Sequence, residues 1–157
     1  MPSRVKRTRD GRFALRISPA EREVLRKVPQ ELRELWSVSD PSQDPDLRRL
    51  FPPAYLDDPE RSAEYDVLVH DDLLAGRVHA ADVMERTIDA QRLSEEELGA
   101  WMTAINDLRL VLGTRLDVPE DVSELDLGPD DPRAPQFTLY AYLSMVEEDI
   151  VAALLRG

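Results

Sequence analysis

Six side chains near the start of the chain carry its clearest chemical signal. Arg4, Lys6, Arg7, Arg9, Arg12 and Arg16 all precede residue 17, with Asp10 the one acid among them. A guanidinium presents a planar fork of N–H donors that matches carboxylates and phosphates. The chemistry this pattern offers is the docking of an anion, not the making or breaking of bonds. The rest of the chain has the opposite sign: a net charge of −12 overall and +5 over residues 1–16 leaves −17 for the remainder. A body so acidic repels nucleic acid at long range, so any DNA contact falls to the basic front end. The competing destination is internal, with Arg7, Arg9, Arg12 and Arg16 pairing with the chain's own acids, for instance within 117–131.

Other residues of reactive type are thinly supported. His70, Asp71, Asp72 and His79 are of the kinds that ligate metals or serve a hydrolase, yet adjacent helical residues point in different directions and no ligand spacing is present. Glu95 with Glu97 and Glu147 with Asp149 are carboxylate pairs in a chain with 32 acids, where helix-end charge bias and solubility account for them. There is no phosphate loop, GxSxG, HExxH or EF-hand pattern. With no cysteine, disulfides, thiolates and Cys-based zinc sites are excluded. No metal or cofactor is expected, and the reading is not an enzyme.

One further segment is distinctive: "INDLRLVLGTRL", residues 105–116. Ile105, Leu108, Leu112 and Leu116 form a core stripe, and Asn106, Asp107, Arg109, Thr114 and Arg115 are candidates for partner contact. For Arg109 and Arg115 a structural salt bridge is the simpler role. Gly113 serves either as a close-approach point for a neighbouring helix or as a helix C-cap.

The elements that would position these groups follow from local signals. Asp10-Gly11 suits a two-residue hairpin, which would place Arg9 opposite Arg12 and Arg7 opposite Ala14, with Arg7, Arg9, Arg12 and Arg16 on one face. A three- or four-residue loop would change that pairing. Ser18-Pro19-Ala20-Glu21 is a capping box opening a helix with Val24, Leu25, Val28, Leu32, Leu35 and Trp36 on its apolar side. Pro29 should kink or split it. A loop over 39–46 leads to a short helix from Asp44-Pro45 through Phe51. Asp58-Pro59 starts another helix with Leu68, Leu73 and Leu74 buried, Gly76 a stop or bend, and a further helix resuming with Val83, Met84 and Ile88. Ser94 with Glu97 caps the clearest helix, whose stripe is Leu98, Trp101, Met102, Ile105, Leu108, Leu112 and Leu116. Residues 117–136, with seven acids and four prolines, form a loop, and 137–156 a terminal helix. Its Phe137, Tyr140 and Tyr142 lie partly off the core stripe and would suit a homodimer interface.

The expected architecture is therefore mainly α: one domain over 1–157, with a basic β-ribbon at 1–17, a helical core at 18–116, an acidic loop at 117–136 and a C-terminal helix at 137–156. No run is apolar enough to span a bilayer and no secretory leader is visible, so the chain reads as cytoplasmic with no membrane partner.

The blocks "LRRLFPPAYLDDPE" (47–60), "INDLRLVLGTRL" (105–116) and "YAYLSMVEEDIVAAL" (140–154), with the opening "GRFALRISPAEREVLRKV" (11–28), resemble the AosR-like family of actinomycete proteins. The resemblance implies a cytoplasmic regulator that works with a stress-response sigma factor or polymerase at promoters and raises cysteine biosynthesis under oxidative stress. The alternative it suggests is an adaptor linked to Clp proteolysis, because family genes lie near that of the ClpS adaptor. The family's CxxxC redox switch has no counterpart here. Methionine oxidation at Met84, Met102 or Met145 is a poor substitute, because those positions read as buried.

Overall fold

The computed structural model describes residues 3–38, 59–116 and 130–156, with side chains for 3–37, 73–116 and 130–156. In chain order the elements are β1 (Val5–Arg7), β2 (Phe13–Leu15), α1 (Pro19–Val38), α2 (Pro59–Thr87), β3 (Arg92–Leu93), α3 (Glu95–Arg115) and α4 (Ala134–Leu155). The fold is mainly helical: four helices and one small antiparallel sheet in the order β1-β2-β3. The expected loop at 39–46, the short helix at 44–51 and residues 117–129 of the acidic stretch lie outside the described residues.

Both capping boxes form. Ser18 and Glu21 exchange bonds at the start of α1, with Glu21 N–H donating to Ser18 Oγ at 3.1 Å and Ser18 N–H to Glu21 Oε2 at 2.9 Å. Ser94 and Glu97 do the same for α3, at 3.1 and 2.8 Å. Each box satisfies two backbone donors that the first turn leaves without helical partners.

Neither of two expected weak points ends its helix. Helix α1 runs through Pro29 and α2 through Gly76. Pro29 forfeits one backbone hydrogen bond, but Leu25, Val28 and Leu32 lie on the same buried side before and after it. Burial of each such side chain contributes about 1.5–3 kcal/mol, more than enough to hold the helix together across the lost bond. Gly76 costs about 1 kcal/mol in a helix interior, too little to end an element of 29 residues. Leu73, expected inside, is exposed. Helix α4 begins at Ala134, earlier than expected, because a proline in its first turn needs no N–H donor there.

The core gathers around α3. Trp101, Leu98, Ile105 and Leu108 meet Met84 of α2 and Ile88 just beyond it, Leu25 and Leu32 of α1, and Leu143, Val146 and Ile150 of α4. The sheet closes one end of this core, with Val5, Phe13 and Leu93 buried and joined to the same cluster. The buried Trp101 indole N–H donates to Thr87 Oγ1 at 2.8 Å, so its one polar group is satisfied. Three arginines of α1 hold α2 alongside: Arg22 donates to the carbonyls of Ile88 and Ala90 just past the α2 C-terminus. Arg26 pairs with Asp89, and Arg33 with Asp82 and Glu85.

Candidate anion-docking site

The basic ribbon is a hairpin, with a register one residue away from the expected one. Val5 pairs with Leu15, Lys6 with Ala14 and Arg7 with Phe13. The loop has three residues, 9–11. Gly11 N–H donates to the Thr8 carbonyl at 3.1 Å, and Thr8 N–H to the Arg12 carbonyl at 2.8 Å. Gly11 sits at φ 80°, a conformation that L side chains rarely adopt. This is a tight turn followed by a left-handed residue, a loop that suits the same Asp-Gly pair as the two-residue hairpin does. Asp10 fastens it: its carboxylate accepts from the Thr8 hydroxyl and from Arg12 N–H. The Thr8 bond, ahead of other contacts, holds the Asp10 carboxyl below the usual carboxylate range.

A one-residue slip exchanges the two faces of a strand. Arg7 therefore leaves the group it was expected to share with Arg9, Arg12 and Arg16, and joins the buried face. Its guanidinium lies over the Phe13 ring, 5.0 Å from the centroid. Arg4 is also used internally. Its Nε is 2.6 Å from Glu21 Oε1, its Nη1 is 3.2 Å from Asp149 Oδ2, and it stacks over Tyr142. Glu21, already in the capping box, is the hub of this cluster and also accepts from the Tyr142 hydroxyl at 3.3 Å. Burial pushes its carboxyl up, but Arg4 and the Ser18 N–H outweigh burial and hold it below the ordinary value. The Tyr142 hydroxyl is pushed up by burial and by Glu21.

The opposite face of the sheet is different. Lys6, Ala14 and Arg92 stand in one row across the three strands. Arg12 and Arg16 share that face because they alternate with the buried Phe13 and with Leu15. Lys6, Arg12, Arg16 and Arg92 are all exposed, as is Arg9 at the loop tip. Arg12 reaches Glu97 only at 3.7 Å, and Arg92 reaches Asp10 only at 3.6 Å. Such loose exposed pairs are worth well under about 1 kcal/mol. Lys6, Arg9 and Arg16 make no ion pair among the described residues. Among the described residues, then, internal pairing claims Arg4, while Lys6, Arg9 and Arg16 meet no acid; most of the acidic stretch 117–131 lies outside those residues. Arg92 belongs to a strand that was not foreseen, because a pair as short as Arg92–Leu93 has no period to detect.

The second candidate group is split between two seams. Asn106 and Arg109 face α4: Arg109 donates to Asn106 Oδ1 at 3.1 Å, its Nε lies 2.6 Å from Glu147 Oε2, and its plane sits near the Tyr140 ring. Asp107 faces α2 instead, where its Oδ1 accepts from Arg77 Nη1 at 2.5 Å. Asp107 is 1% exposed, and burial, only partly countered by Arg77, pushes its carboxyl up to about 6. Thr114 returns its hydroxyl to the Leu110 carbonyl. Arg115 is exposed and lines a groove of about 460 Å³ together with Leu35, Val111, Leu139, Glu31 and Glu34. Gly113 is the close-approach point: a Cβ there would meet Tyr140 Cε2 at 3.1 Å. The helix continues past it to Arg115, so it is not a C-cap.

Phe137 is buried, Tyr140 packs on Gly113 and Tyr142 on Arg4, so all three aromatics are engaged within the chain. His79 is exposed and does not line the groove, while the side chains of His70, Asp71 and Asp72 lie outside the described residues. Met84 is buried as expected, but Met145 is exposed on α4. No helix among the described residues is long and apolar enough to cross a membrane.

The profile of a family described as a domain of unknown function, DUF2017, matches residues 2–154. The oxidative stress regulators AosR of Mycobacterium tuberculosis H37Rv and Mycobacterium bovis are each 28% identical over 186 residues, covering 94% of this chain and 85% of theirs. A putative oxidative stress regulator AosR of Mycobacterium leprae is 29% identical over 131 residues, covering 72% of this chain and 59% of its own. No solved structure matches significantly.

Proposed function

The chain belongs to the DUF2017 family, and from that premise we propose that it is a non-enzymatic regulator of the oxidative stress response, acting by contact with a sigma factor or polymerase. The observation that carries this reading is the likeness to oxidative stress regulators along 94% of the chain. The layout of the protein agrees with a role exerted by touch. Among the described residues, exposed cations gather on one face of a fixed sheet, on a body that is otherwise strongly acidic.

The regulator has no cysteine, so a thiol–disulfide change within this chain plays no part in its control. The oxidant signal then reaches it through the abundance or state of its partner. The test is deletion of the gene in the source organism, with peroxide survival and genome-wide transcripts as readouts, alongside capture of partners on the tagged full chain. The expected result is altered peroxide survival restored by the intact gene, with sigma factor or polymerase subunits co-purifying. Unchanged survival and unchanged transcripts in the deletion strain would overturn the proposal.

A further inference from the structure

We propose that the outer face of the three-stranded sheet, formed by Lys6, Arg12, Arg16 and Arg92 around Ala14, binds the phosphate backbone of duplex nucleic acid. The inference deepens the regulatory reading by naming the surface through which such a protein would touch a promoter. It rests on the register. Only with Lys6, Ala14 and Arg92 in one row does β3 add its arginine to the face that the hairpin presents. Alternate residues of a strand stand about 6.8 Å apart and neighbouring strands about 4.8 Å apart, so the four cations form a compact plate.

Three features of the plate select its occupant. First, the large exposed hydrophobics among the described residues are Val24, Leu73, Met145, Val151 and Leu155, and none lies on the sheet. A protein partner of ordinary affinity seeks an apolar centre with charge at the rim. The centre of this plate holds only the Ala14 methyl, too small an apolar anchor for such a partner. Second, the only aromatic residue of the three strands is Phe13, which is buried on the other face. Single strands are held largely by stacking on exposed rings, and none is offered here. Third, the hairpin ends in an exposed Arg9 on a loop fastened by Asp10 and Gly11, a narrow tip of the size a major groove admits. Four cations around a single methyl, with no larger apolar anchor and no stacking ring, fit phosphates of a duplex best.

The acidic surroundings set the strength. Asp10 and Glu97 lie near Arg92 and Arg12, and Glu95 and Glu96 are exposed at the start of α3. Binding is therefore weak, fast and strongly dependent on salt, and sequence choice is left to a protein partner. With four phosphates neutralised, the slope of log affinity against log salt is about −3.6, a loss of roughly 150-fold between about 50 and 200 mM.

The test is fluorescence anisotropy of the full chain with a labelled random-sequence duplex of about 20 base pairs, over that salt range, with a single strand of equal length for comparison. Expected are the steep slope, weaker binding of the single strand, a slope shallower by about 1 in R92Q, and loss of binding in the K6Q/R12Q/R16Q/R92Q variant. These side chains are exposed, and an unchanged circular dichroism spectrum confirms that the variant is folded. Binding that survives the quadruple change, tighter binding of the single strand, or no binding by the intact protein at low salt would each overturn the inference. A normal stress phenotype in cells carrying the quadruple variant, with the deletion strain impaired, would sink the DNA face while leaving the regulatory reading intact.

Discussion

Replacing Asp107 with asparagine should flatten the pH dependence of folding stability by a predictable amount. The carboxylate is 1% exposed in the seam between α2 and α3. One oxygen accepts from Arg77, and the other has no hydrogen-bond partner among the described residues. Desolvation outweighs the attraction of Arg77 and pushes the carboxyl from its ordinary 3.8 up to about 6. A carboxyl raised in the folded state favours folding while it is protonated. Its contribution is fully present below about pH 3.8 and is lost as pH rises through about 6. By linkage the ionised group costs about 3 kcal/mol at pH 8 and about half that at pH 5. Asp107 alone should therefore make the protein about 1.5 kcal/mol more stable at pH 5 than at pH 8. Relief of net negative charge contributes in the same direction, but it is nearly equal in the two proteins and cancels in the comparison. The assay is urea unfolding of wild type and D107N at both pH values, reading the difference of differences. Identical pH dependence in the two proteins would show that the Asp107 carboxyl is not desolvated, and the reasoning would fail.

Substitutions centred on three other positions, Gly113, Ser94 and Thr87, probe local arguments. Gly113→Ala should stay within about 1 kcal/mol of wild type, because gained helix propensity offsets the tight contact with Tyr140. Gly113→Leu should lose about 1–3 kcal/mol, recovered in part by Tyr140→Ala, as measured by chemical denaturation. Ser94→Ala removes half of the α3 capping box and should lower stability by about 1 kcal/mol, visible as a shift in the urea midpoint without a change in slope. Thr87→Val strands the buried indole N–H of Trp101 and should cost about 1–3 kcal/mol, with the change in Trp101 surroundings followed by tryptophan fluorescence.

Much of the helical frame was legible because its signals are local. A serine three residues before a glutamate closes a capping box with no help from elsewhere, and Ser18–Glu21 and Ser94–Glu97 both do so. The apolar stripe of α3 is likewise a matter of spacing, and Leu98, Trp101, Ile105, Leu108 and Leu112 are all buried. Pro29 and Gly76 do not end their helices, for the opposite reason. Each weakens a helix locally, and whether the helix ends depends on what its flanking turns bury. Asp10-Gly11 announced a hairpin without fixing its loop length, since a two-residue turn and a three-residue turn with a left-handed glycine both accept the pair.

What the sequence determined on its own is the inventory: six early cations on an acidic chain, no thiol, and a set of helices whose starts are written in capping residues. Tertiary structure decided how those cations are employed. The register turned Arg7 toward Phe13, the approach of α1 and α4 brought Glu21 and Asp149 to Arg4, and β3 set Arg92 beside Lys6 and Ala14. The physical reason is that charge and propensity belong to residues, whereas desolvation and pairing belong to neighbours. A strand displaced by one position carries the same charges to the opposite face.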